Sequence, residues 1–447
     1  MEGSLNQLNT SNYLINTKKP ATSFFHHNYN NYSNFVRDTR RKPFNGDMNF
    51  NRSIFFDIDE EGRQGDHISN LIVEFDLPDI SEIKTSTGKN IGYCNGIGNA
   101  LIKEARIEIN GNLIDKQLPE WMDIWSQLTI KPGLQSNYKR MIKKFDAHNF
   151  DSFQGGKVYV PLHFWFSSPN YSNENASMVL PIFLLYSNTI QIKIKLNKFE
   201  DLIVVQDNDG SKPTTTPDIE SILLSIDYIT LTPTERKMLL NQPKHYNLIY
   251  QIQNTFFNIQ ANQTAKSFSL RSFKYPISEL LWVVRTDESE DANQYFNYGS
   301  SLATKTNNPI ENVRITFEGK ERVEELPSDY FTELEPFKVH DNVPNSFIHC
   351  YSFSLRPEYT SQPSGICNFS EMQDIDIHFN FKSGMGSAKL FVFGINYNVL
   401  QIDNNGNSWL LHNLSKSVPE KMPTMETLEA KRKHQEMEMR HISNHTF

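Results

Sequence analysis

The chain has 447 residues, of which 38% are hydrophobic and 21% are charged. This composition provides enough apolar side chains to bury a core, so it excludes a chain that is disordered throughout. The formal net charge of −8 argues against a protein dedicated to nucleic-acid binding. The 31 Phe and 18 Tyr residues favour β-strands, and the length allows two large β-sandwiches.

Three widely spaced cysteines, Cys94, Cys350 and Cys367, match no zinc or redox motif. An odd number of cysteines in a large chain does not indicate a disulfide framework, so a reducing compartment is expected. The N-terminus lacks the character of a signal peptide. The longest apolar runs, at 178–186 and 280–284, are too short to span a bilayer.

Residues 1–45 are polar, rich in Asn and without periodicity, and they predict an extended arm. Six basic residues stand against Glu2 and Asp38, which gives this segment a charge of +4. The basic residues are Lys18, Lys19, Arg37, Arg40, Arg41 and Lys42. Such a run is compatible with contact to nucleic acid or an anionic membrane. A solvated arm that packs under a neighbouring subunit is the favoured interpretation.

After the arm, apolar and polar residues alternate with a period of two, as in strands that bury one face. The clearest example is Ile190–Leu196, in which every second residue is Ile or Leu. Phe164 and Trp165 are expected to alternate on one strand, with one of them facing the interior of a sandwich. Turns between strands are indicated at four dipeptides, Asn110-Gly111, Asp209-Gly210, Glu318-Gly319 and Asn405-Gly406.

Two short helices are predicted. Pro119 can begin one that runs to Leu128, with Trp121 and Trp125 on the same face. The second follows Thr232-Pro233-Thr234-Glu235, which has the form of a capping box with Pro at the first helical position. We expect this second helix to connect two halves of the chain.

An internal repeat supports the division into two halves. The segment 68–72 resembles 277–281 at an offset of 209, and 106–111 resembles 314–319 at an offset of 208. Each copy of the second segment is followed by a Leu-Pro pair at the same spacing, Leu118-Pro119 and Leu326-Pro327. Two matches at nearly one offset indicate duplicated sandwiches, in which Ile107 and Ile315 occupy equivalent strands.

Motifs that would carry chemistry are incomplete. The stretch Asp57–Gly62 begins like a calcium loop, but Ile68 occupies the twelfth position, where a bidentate Glu is needed. Gly96-Ile97-Gly98 lacks the third glycine of a dinucleotide-binding turn. The pair His26-His27 and the pair Asp374 with Asp376 are interpreted as solvated residues. The sequence therefore predicts no catalytic, cofactor-binding or metal site.

Glycosylation sequons occur at Asn170, Asn175 and Asn262. An Asn-rich chain generates such sequons by chance, so each one is weak evidence for modification. The segment 425–440 near the C-terminus is rich in helix-forming residues but has only one Leu, Leu428. It predicts a charged, partly helical tail.

A series of short motifs runs in order along residues 25–412. The most specific are Gln362–Ser370 and Asn396–Leu400. The others are Gly98–Lys103, Glu120–Trp125, Tyr159–Phe166, Met178–Ile182, Glu279–Val284 and Tyr351–Glu358. Together they resemble the major capsid proteins of nucleocytoplasmic large DNA viruses, the phycodnavirus, iridovirus and mimivirus-like double jelly-roll family.

The resemblance implies an all-β fold of two tandem eight-stranded jelly rolls, a double jelly roll with a few short helices. It implies a structural protein without enzymatic activity, of which three copies form a homotrimeric, pseudo-hexameric capsomer. Such capsomers tile the icosahedral shell of a large double-stranded DNA virus. The protein is then expected in the virion, after assembly in the host-cell cytoplasm.

Implied partners are other copies of the chain, neighbouring capsomers, and minor capsid and penton proteins. The internal viral membrane is a further expected partner, through the basic N-terminal arm, whereas sequence-specific nucleic-acid binding is not expected. The alternative of a carbohydrate-binding double β-sandwich stays open, with aromatic side chains at a loop end as its site. A β-sandwich hydrolase would need a nucleophile and base that the sequence does not offer.

The predicted organisation has five parts. They are an extended N-terminal arm at 1–25, an N-terminal jelly roll at 26–231, a short helical connector at 232–243, a C-terminal jelly roll at 244–412, and a charged, partly helical tail at 413–447.

Overall fold

The computed structural model describes residues 34–58, 64–167, 178–208, 210–300 and 307–411. Within these ranges strands dominate and the helices are short, which confirms the all-β prediction. No helix among the described residues is long and apolar enough to cross a membrane.

The first half contains two main antiparallel sheets, with strand orders β1-β11-β4-β8 and β2-β3-β9-β6-β7, and a small pair β10-β5. The strands are β1 (Phe35–Pro43), β2 (Asn45–Gly46), β3 (Ser53–Ile58), β4 (His67–Leu77), β5 (Ile91–Tyr93), β6 (Ile102–Ile109), β7 (Asn112–Gln117), β8 (Gly156–Pro161), β9 (Ile190–Leu196), β10 (Ile203–Val205) and β11 (Ser221–Leu231).

The second half repeats this arrangement, with strand orders β12-β20-β14-β17 and β13-β19-β15-β16. The short strands β18 and β21 pair with β14 and β20. The strands are β12 (Lys244–Ile259), β13 (Ala265–Ser269), β14 (Pro276–Thr286), β15 (Ile310–Phe317), β16 (Lys320–Pro327), β17 (His349–Ser352), β18 (Cys367–Asn368), β19 (Ile375–Phe381), β20 (Ala388–Asp403) and β21 (Ser408–Leu410).

Short helices lie between the strands. The α-helices are α1 (Ile97–Leu101), α2 (Pro119–Thr129), α3 (Pro132–Ile142), α4 (Pro233–Leu240), α5 (Asp287–Asp291) and α6 (Glu335–Val339). Single turns of other helix types occur at Phe199–Leu202, Gln206–Asn208, Tyr330–Leu334 and Phe369–Glu371. Both predicted helices are confirmed as α2 and α4. The Thr232 side chain caps α4 by accepting a hydrogen bond from the Glu235 backbone amide.

The repeat is confirmed strand by strand. The sheet β1-β11-β4-β8 corresponds in order to β12-β20-β14-β17, and β3-β9-β6-β7 corresponds to β13-β19-β15-β16. Ile107 lies on β6 and pairs with Ile192, while Ile315 lies on the equivalent strand β15 and pairs with Ile377. Both hairpin turns, Asn110-Gly111 and Glu318-Gly319, have two consecutive positive φ angles, 51° and 75° in the first and 50° and 73° in the second. This backbone matches the twist of the strands that the turns connect.

Strand β14 is buried on both faces. Leu280, Trp282 and Val284 belong to the core of the second sandwich. Leu281 and Val283 point to the opposite face and belong to one apolar cluster with the core of the first sandwich. The two sandwiches are therefore joined by a continuous buried surface. Because β14 is buried on both faces, its sequence does not alternate between apolar and polar residues as a half-exposed strand does.

The prediction of an arm up to residue 45 is wrong at its C-terminal end. Residues Phe35–Pro43 form β1 and pair with β11 along its whole length. The strand lies at the edge of its sheet, and most of its side chains are exposed. Because neither face is deeply buried, the sequence lacks the apolar alternation that identifies other strands.

The expectation for Phe164 and Trp165 is also wrong. Strand β8 ends at Pro161, and Phe164, Trp165 and Phe166 lie in the turn that follows. All three side chains are buried, and Trp165 contacts Phe166 edge-on at 4.9 Å between ring centroids. A turn does not impose alternate faces on successive residues, so none of the three points outward.

We expect Gly92→Ala to destabilise the first sandwich by about 3 kcal/mol or more. A β-carbon at Gly92 on β5 would lie 1.6 Å from the Phe150 carbonyl oxygen, a backbone atom that cannot move alone. Gly133→Ala is the control, since a β-carbon at that position meets nothing within 4 Å and Ala favours a helix. Thermal unfolding of both variants tests this. Equal melting temperatures would contradict the packing described around β5.

Candidate assembly surfaces

Helix α2 of the first half packs on the outer face of a sheet of the second half. Pro119 begins the helix, and the i, i+4 spacing places Trp121 and Trp125 on one side, where their rings stack at 5.1 Å. Trp121 lies 5.9 Å from the ring of Phe393 on β20, and Trp125 lies 6.4 Å from Tyr250 on β12. These aromatic contacts make α2 an apolar bridge between the halves.

A buried ion pair fixes the same contact. The Arg285 guanidinium on β14 donates to the Glu120 carboxylate at the start of α2, with 2.7 Å between Nη1 and Oε1. Both side chains are less than a tenth exposed, and Arg285 also lies over the Phe391 ring at 4.8 Å. Burial opposes the charge of Arg285, but Glu120 and Glu290 outweigh it and raise its pKa. Because both charges are sheltered from water, removal of Arg285 leaves the Glu120 carboxylate buried without a compensating charge.

Polar contacts extend the bridge on both sides of α2. The Asn342 amide donates to the Gln127 carbonyl oxygen at 2.7 Å, and the Ser346 hydroxyl donates to the Gln127 side chain at 2.8 Å. At the hairpin after β20, the Tyr186 hydroxyl donates to the Asn404 carbonyl oxygen at 2.9 Å. The orientation of the two sandwiches is therefore set at several separate points.

Basic residues predicted to belong to the arm are engaged within the first sheet. Arg37 forms an ion pair with Asp227 of β11 at 2.5 Å, and Arg41 forms one with Glu74 of β4 at 3.0 Å. Burial opposes ionisation of Asp227, but hydrogen bonds from Thr39 and Arg37 outweigh it and lower its pKa. These positive charges hold an edge strand to its sheet, which corrects the interpretation of residues 37–42 as part of a solvated arm.

The residues of incomplete motifs are dispersed. Asp57 lies on β3 and Ile68 on β4, and the intervening residues 59–63 lie outside the described residues. Gly96 precedes α1, which has five residues and is buried throughout. Asp374 forms an exposed ion pair with Arg271. The structure brings none of these described side chains together.

His26-His27, Asn170 and Asn175 also lie outside the described residues. Asn262 is exposed in the turn between β12 and β13. The three cysteines are free thiols: Cys94 and Cys350 are buried, and Cys367 is half-buried.

A buried polar cluster on the second half was not predicted from the sequence. His340 contacts two carboxyl groups, Glu279 at 2.7 Å through Nε2 and Glu358 at 2.8 Å through Nδ1. The Cys350 thiol lies beside them. These residues are far apart in the chain and have no motif spacing, so only the folded sheet reveals that they meet.

The position equivalent to α2 in the second half is exposed. After Leu326-Pro327, the π-helical turn Tyr330–Leu334 leads directly into α6. Leu334 is 55% exposed and Phe337 is 78% exposed, whereas Trp121 and Trp125 on α2 are buried. The second half therefore presents apolar side chains at the place where the first half contacts its neighbour.

Two family models match adjacent parts of the chain. A model described as the N-terminus of major capsid proteins matches residues 23–232. A model described as the large eukaryotic DNA virus major capsid protein matches residues 235–407. Together they span most of the described sheets.

Among curated relatives, the major capsid protein of Pyramimonas orientalis virus is 26% identical over 86% of this chain and 92% of its own length. That of Phaeocystis pouchetii virus is 24% identical over 86% of this chain and 94% of its own. Among solved structures, a chain of the PBCV-1 virus capsid superposes with a TM-score of 0.71 and 23% identity. That match covers 87% of this chain and 99% of the other.

The duplicated sandwiches define a double jelly roll of the kind found in viral capsid proteins. The chain belongs to the family of major capsid proteins of large eukaryotic DNA viruses. The resemblance inferred from the motifs is confirmed, and the members of this family are structural proteins and not enzymes.

Replacing Arg285 by Met should destabilise the protein by about 3–5 kcal/mol, because Glu120 is left buried without its partner. Arg314→Met is the matched control. Arg314 pairs with Glu321 at 3.2 Å on the surface, and its loss should cost at most about 1 kcal/mol. Denaturant unfolding of both variants gives the comparison. Similar costs for the two would mean that the Arg285 pair does not join the halves.

Proposed function

We propose that this protein is the major capsid protein of a large double-stranded DNA virus, and that three copies form a pseudo-hexameric capsomer that tiles an icosahedral shell. Membership of the capsid protein family supports the role. The homotrimer is supported by a physical argument from the repeat, since three chains of two sandwiches each supply six similar units.

The observation that carries the proposal is the asymmetry between equivalent surfaces. On β14, the outward side chains Leu281 and Val283 are covered by the other half of the chain. At the equivalent positions on β4, Ile72 and Glu74 also point outward but are only half-buried. The first half thus has an uncovered sheet face, and the second half has an uncovered apolar helix.

The exposed helical segment of the second half and the uncovered sheet face of the first half are duplicates of two surfaces that already contact each other within the chain. Within one chain, the helix after the Leu-Pro pair of the first half packs on the sheet of the second half. Between chains, the segment Tyr330–Val339 of the second half packs on the β1-β11-β4-β8 sheet of the next chain's first half. A repeated head-to-tail contact closes into a ring when its rotation fits a whole number of units, and the proposal is that six sandwiches in three chains complete this ring.

The segments outside the sheets are assigned further partners within the same proposal. We infer an N-terminal arm at 1–25 and a C-terminal tail at 413–447, flanking jelly rolls at 26–231 and 244–412 that the connector 232–243 joins. Neighbouring capsomers, minor capsid and penton proteins and the internal viral membrane are the proposed contacts.

The membrane contact is assigned to the basic residues of the N-terminal arm. Arg37 and Arg41 form ion pairs within the first sheet, so Lys18 and Lys19 are the basic residues proposed to contact the membrane. Assembly is proposed in the host-cell cytoplasm. Nothing in the described residues favours the carbohydrate-binding alternative.

Light scattering of the purified protein at micromolar concentration should give three times the chain mass. Phe337→Asp should shift the protein towards monomer, because burial of a Phe contributes about 1.5–3 kcal/mol per contact and a buried charge opposes it further. Its fold should persist, since the side chain is 78% exposed. Leu113→Asp, at a hairpin end of the first sandwich, should remain trimeric and serves as the control. A wild type that is only monomeric, or a Phe337→Asp trimer as stable as wild type, would contradict the proposed ring.

Deletion of residues 1–24 should leave the trimer intact and impair shell formation, because no described strand is removed. Binding of the trimer to anionic vesicles should weaken on deletion and as salt rises. Sedimentation with vesicles and electron microscopy of assembly reactions measure the two effects. Unfolding of the trimer on deletion would show that the arm belongs to a sandwich core.

A further inference from the structure

Three residues that can bind a metal ion meet on the outer face of β14, beside the bridge between the halves. Strand register pairs Leu281 with Cys350 and Glu279 with Ser352, so Glu279 and Cys350 are diagonal neighbours on one face. His340 follows α6 directly and closes over that face. The cluster thus combines β14, β17 and the segment after α6.

The geometry points to a zinc site, which we propose is formed by Glu279, His340 and Cys350. One carboxylate oxygen, one ring nitrogen and the thiol sulfur lie within 4.8 Å of one another. All three side chains are buried. Donor atoms around zinc are separated by about 3–4 Å, so closure requires shifts of about 1 Å at the ends of side chains.

Glu358 would not bind the metal itself but would hold the His340 ring in place. Its carboxylate accepts from His340 Nδ1 at 2.8 Å, and it also accepts from the Asp341 backbone amide at 2.8 Å. This fixes the ring and directs Nε2 towards Glu279. A histidine that binds a metal commonly donates its other ring N–H to a carboxylate in this way. Glu358 is therefore a positioning residue.

One buried atom points independently to a missing ligand. Glu279 Oε2 is buried and has no hydrogen-bond partner among the described residues. A buried carboxylate oxygen without a partner is unfavourable, and a cation bound at the carboxylate would satisfy it.

The donor types favour zinc over other common ions. Thiolate and imidazole are ligands that zinc prefers, whereas calcium and magnesium prefer oxygen ligands alone. Binding replaces the proton on His340 Nε2 and the proton on Cys350 Sγ, and both protons are released to solvent. Three protein ligands leave a fourth position for water.

The alternative to a bound zinc ion is a protonated His340. Burial opposes protonation of His340, but Glu279, with hydrogen bonds to Cys350 and Glu358, raises its pKa well above the usual value. Burial raises the pKa of the Cys350 thiol to about 12. An imidazolium between two carboxyl groups is thus the alternative state, and metal content distinguishes it from zinc.

The test uses the full-length protein in its native assembly. We expect about one zinc ion per chain by elemental analysis after dialysis against zinc, and a fall in melting temperature on chelation that added zinc reverses. Cobalt(II) added to the chelated protein should give a thiolate-to-cobalt charge-transfer band. This wild-type measurement needs no variant and decides the proposal even if a substitution prevents folding.

Variants identify the ligands. Cys350→Ser should abolish the cobalt band and weaken zinc binding by about 100-fold or more, and Glu358→Gln should weaken it about 10- to 100-fold with the band retained. Cys367→Ser is the matched control, since Cys367 lies on β18 against the core of the second sandwich, and it should change neither. Absence of bound zinc and of the cobalt band in wild type, or a band that survives in Cys350→Ser, would overturn the site. Either result would leave the proposed capsid function untouched.

Discussion

Two stacked tryptophans and one buried ion pair hold the two sandwiches of this protein in a single arrangement. Trp121 and Trp125 cover the outer face of the β12-β20-β14-β17 sheet, and Glu120 reaches Arg285 on the same face. Burial of apolar side chains stabilises the contact between the sandwiches. The ion pair sets their orientation, because a rotation that separated the two charges would leave the Glu120 carboxylate buried without water or a partner. Polar contacts at Gln127 and at the hairpin after β20 add to this arrangement.

Gene duplication gives equivalent surfaces, yet only one of each pair is covered within the chain. The outward face of β14, which includes Leu281 and Val283, is buried, while Ile72 and Glu74 on the outward face of β4 are only half-buried. In the first half, the aromatic side chains of α2 are buried in this contact. In the second half, apolar side chains of the equivalent helical segment are exposed. In a closed ring of chains, each chain needs a free copy of both surfaces to contact its two neighbours. The half-buried face of β4 and the exposed helical segment of the second half provide these copies.

Much of the fold was predictable because local chemistry and burial agree. The turns at Asn110-Gly111 and Glu318-Gly319 and the capped helix after Thr232 follow from short-range rules. Strand β1 was missed because an edge strand held by ion pairs has no apolar alternation. The cluster of Glu279, His340 and Cys350 was missed because strand register and a folded-back segment, and not chain spacing, bring its atoms together.

Cryo-electron microscopy of the purified assembly would show directly whether the chains meet through these duplicated surfaces. We expect six upright sandwiches around a threefold axis, with the segment Tyr330–Val339 of each chain lying on the β1-β11-β4-β8 sheet of the next. The contact between chains should then superpose on the contact between halves, with Phe337 buried. A trimer in which this segment faces solvent, or an assembly whose chains meet through unrelated surfaces, would contradict it.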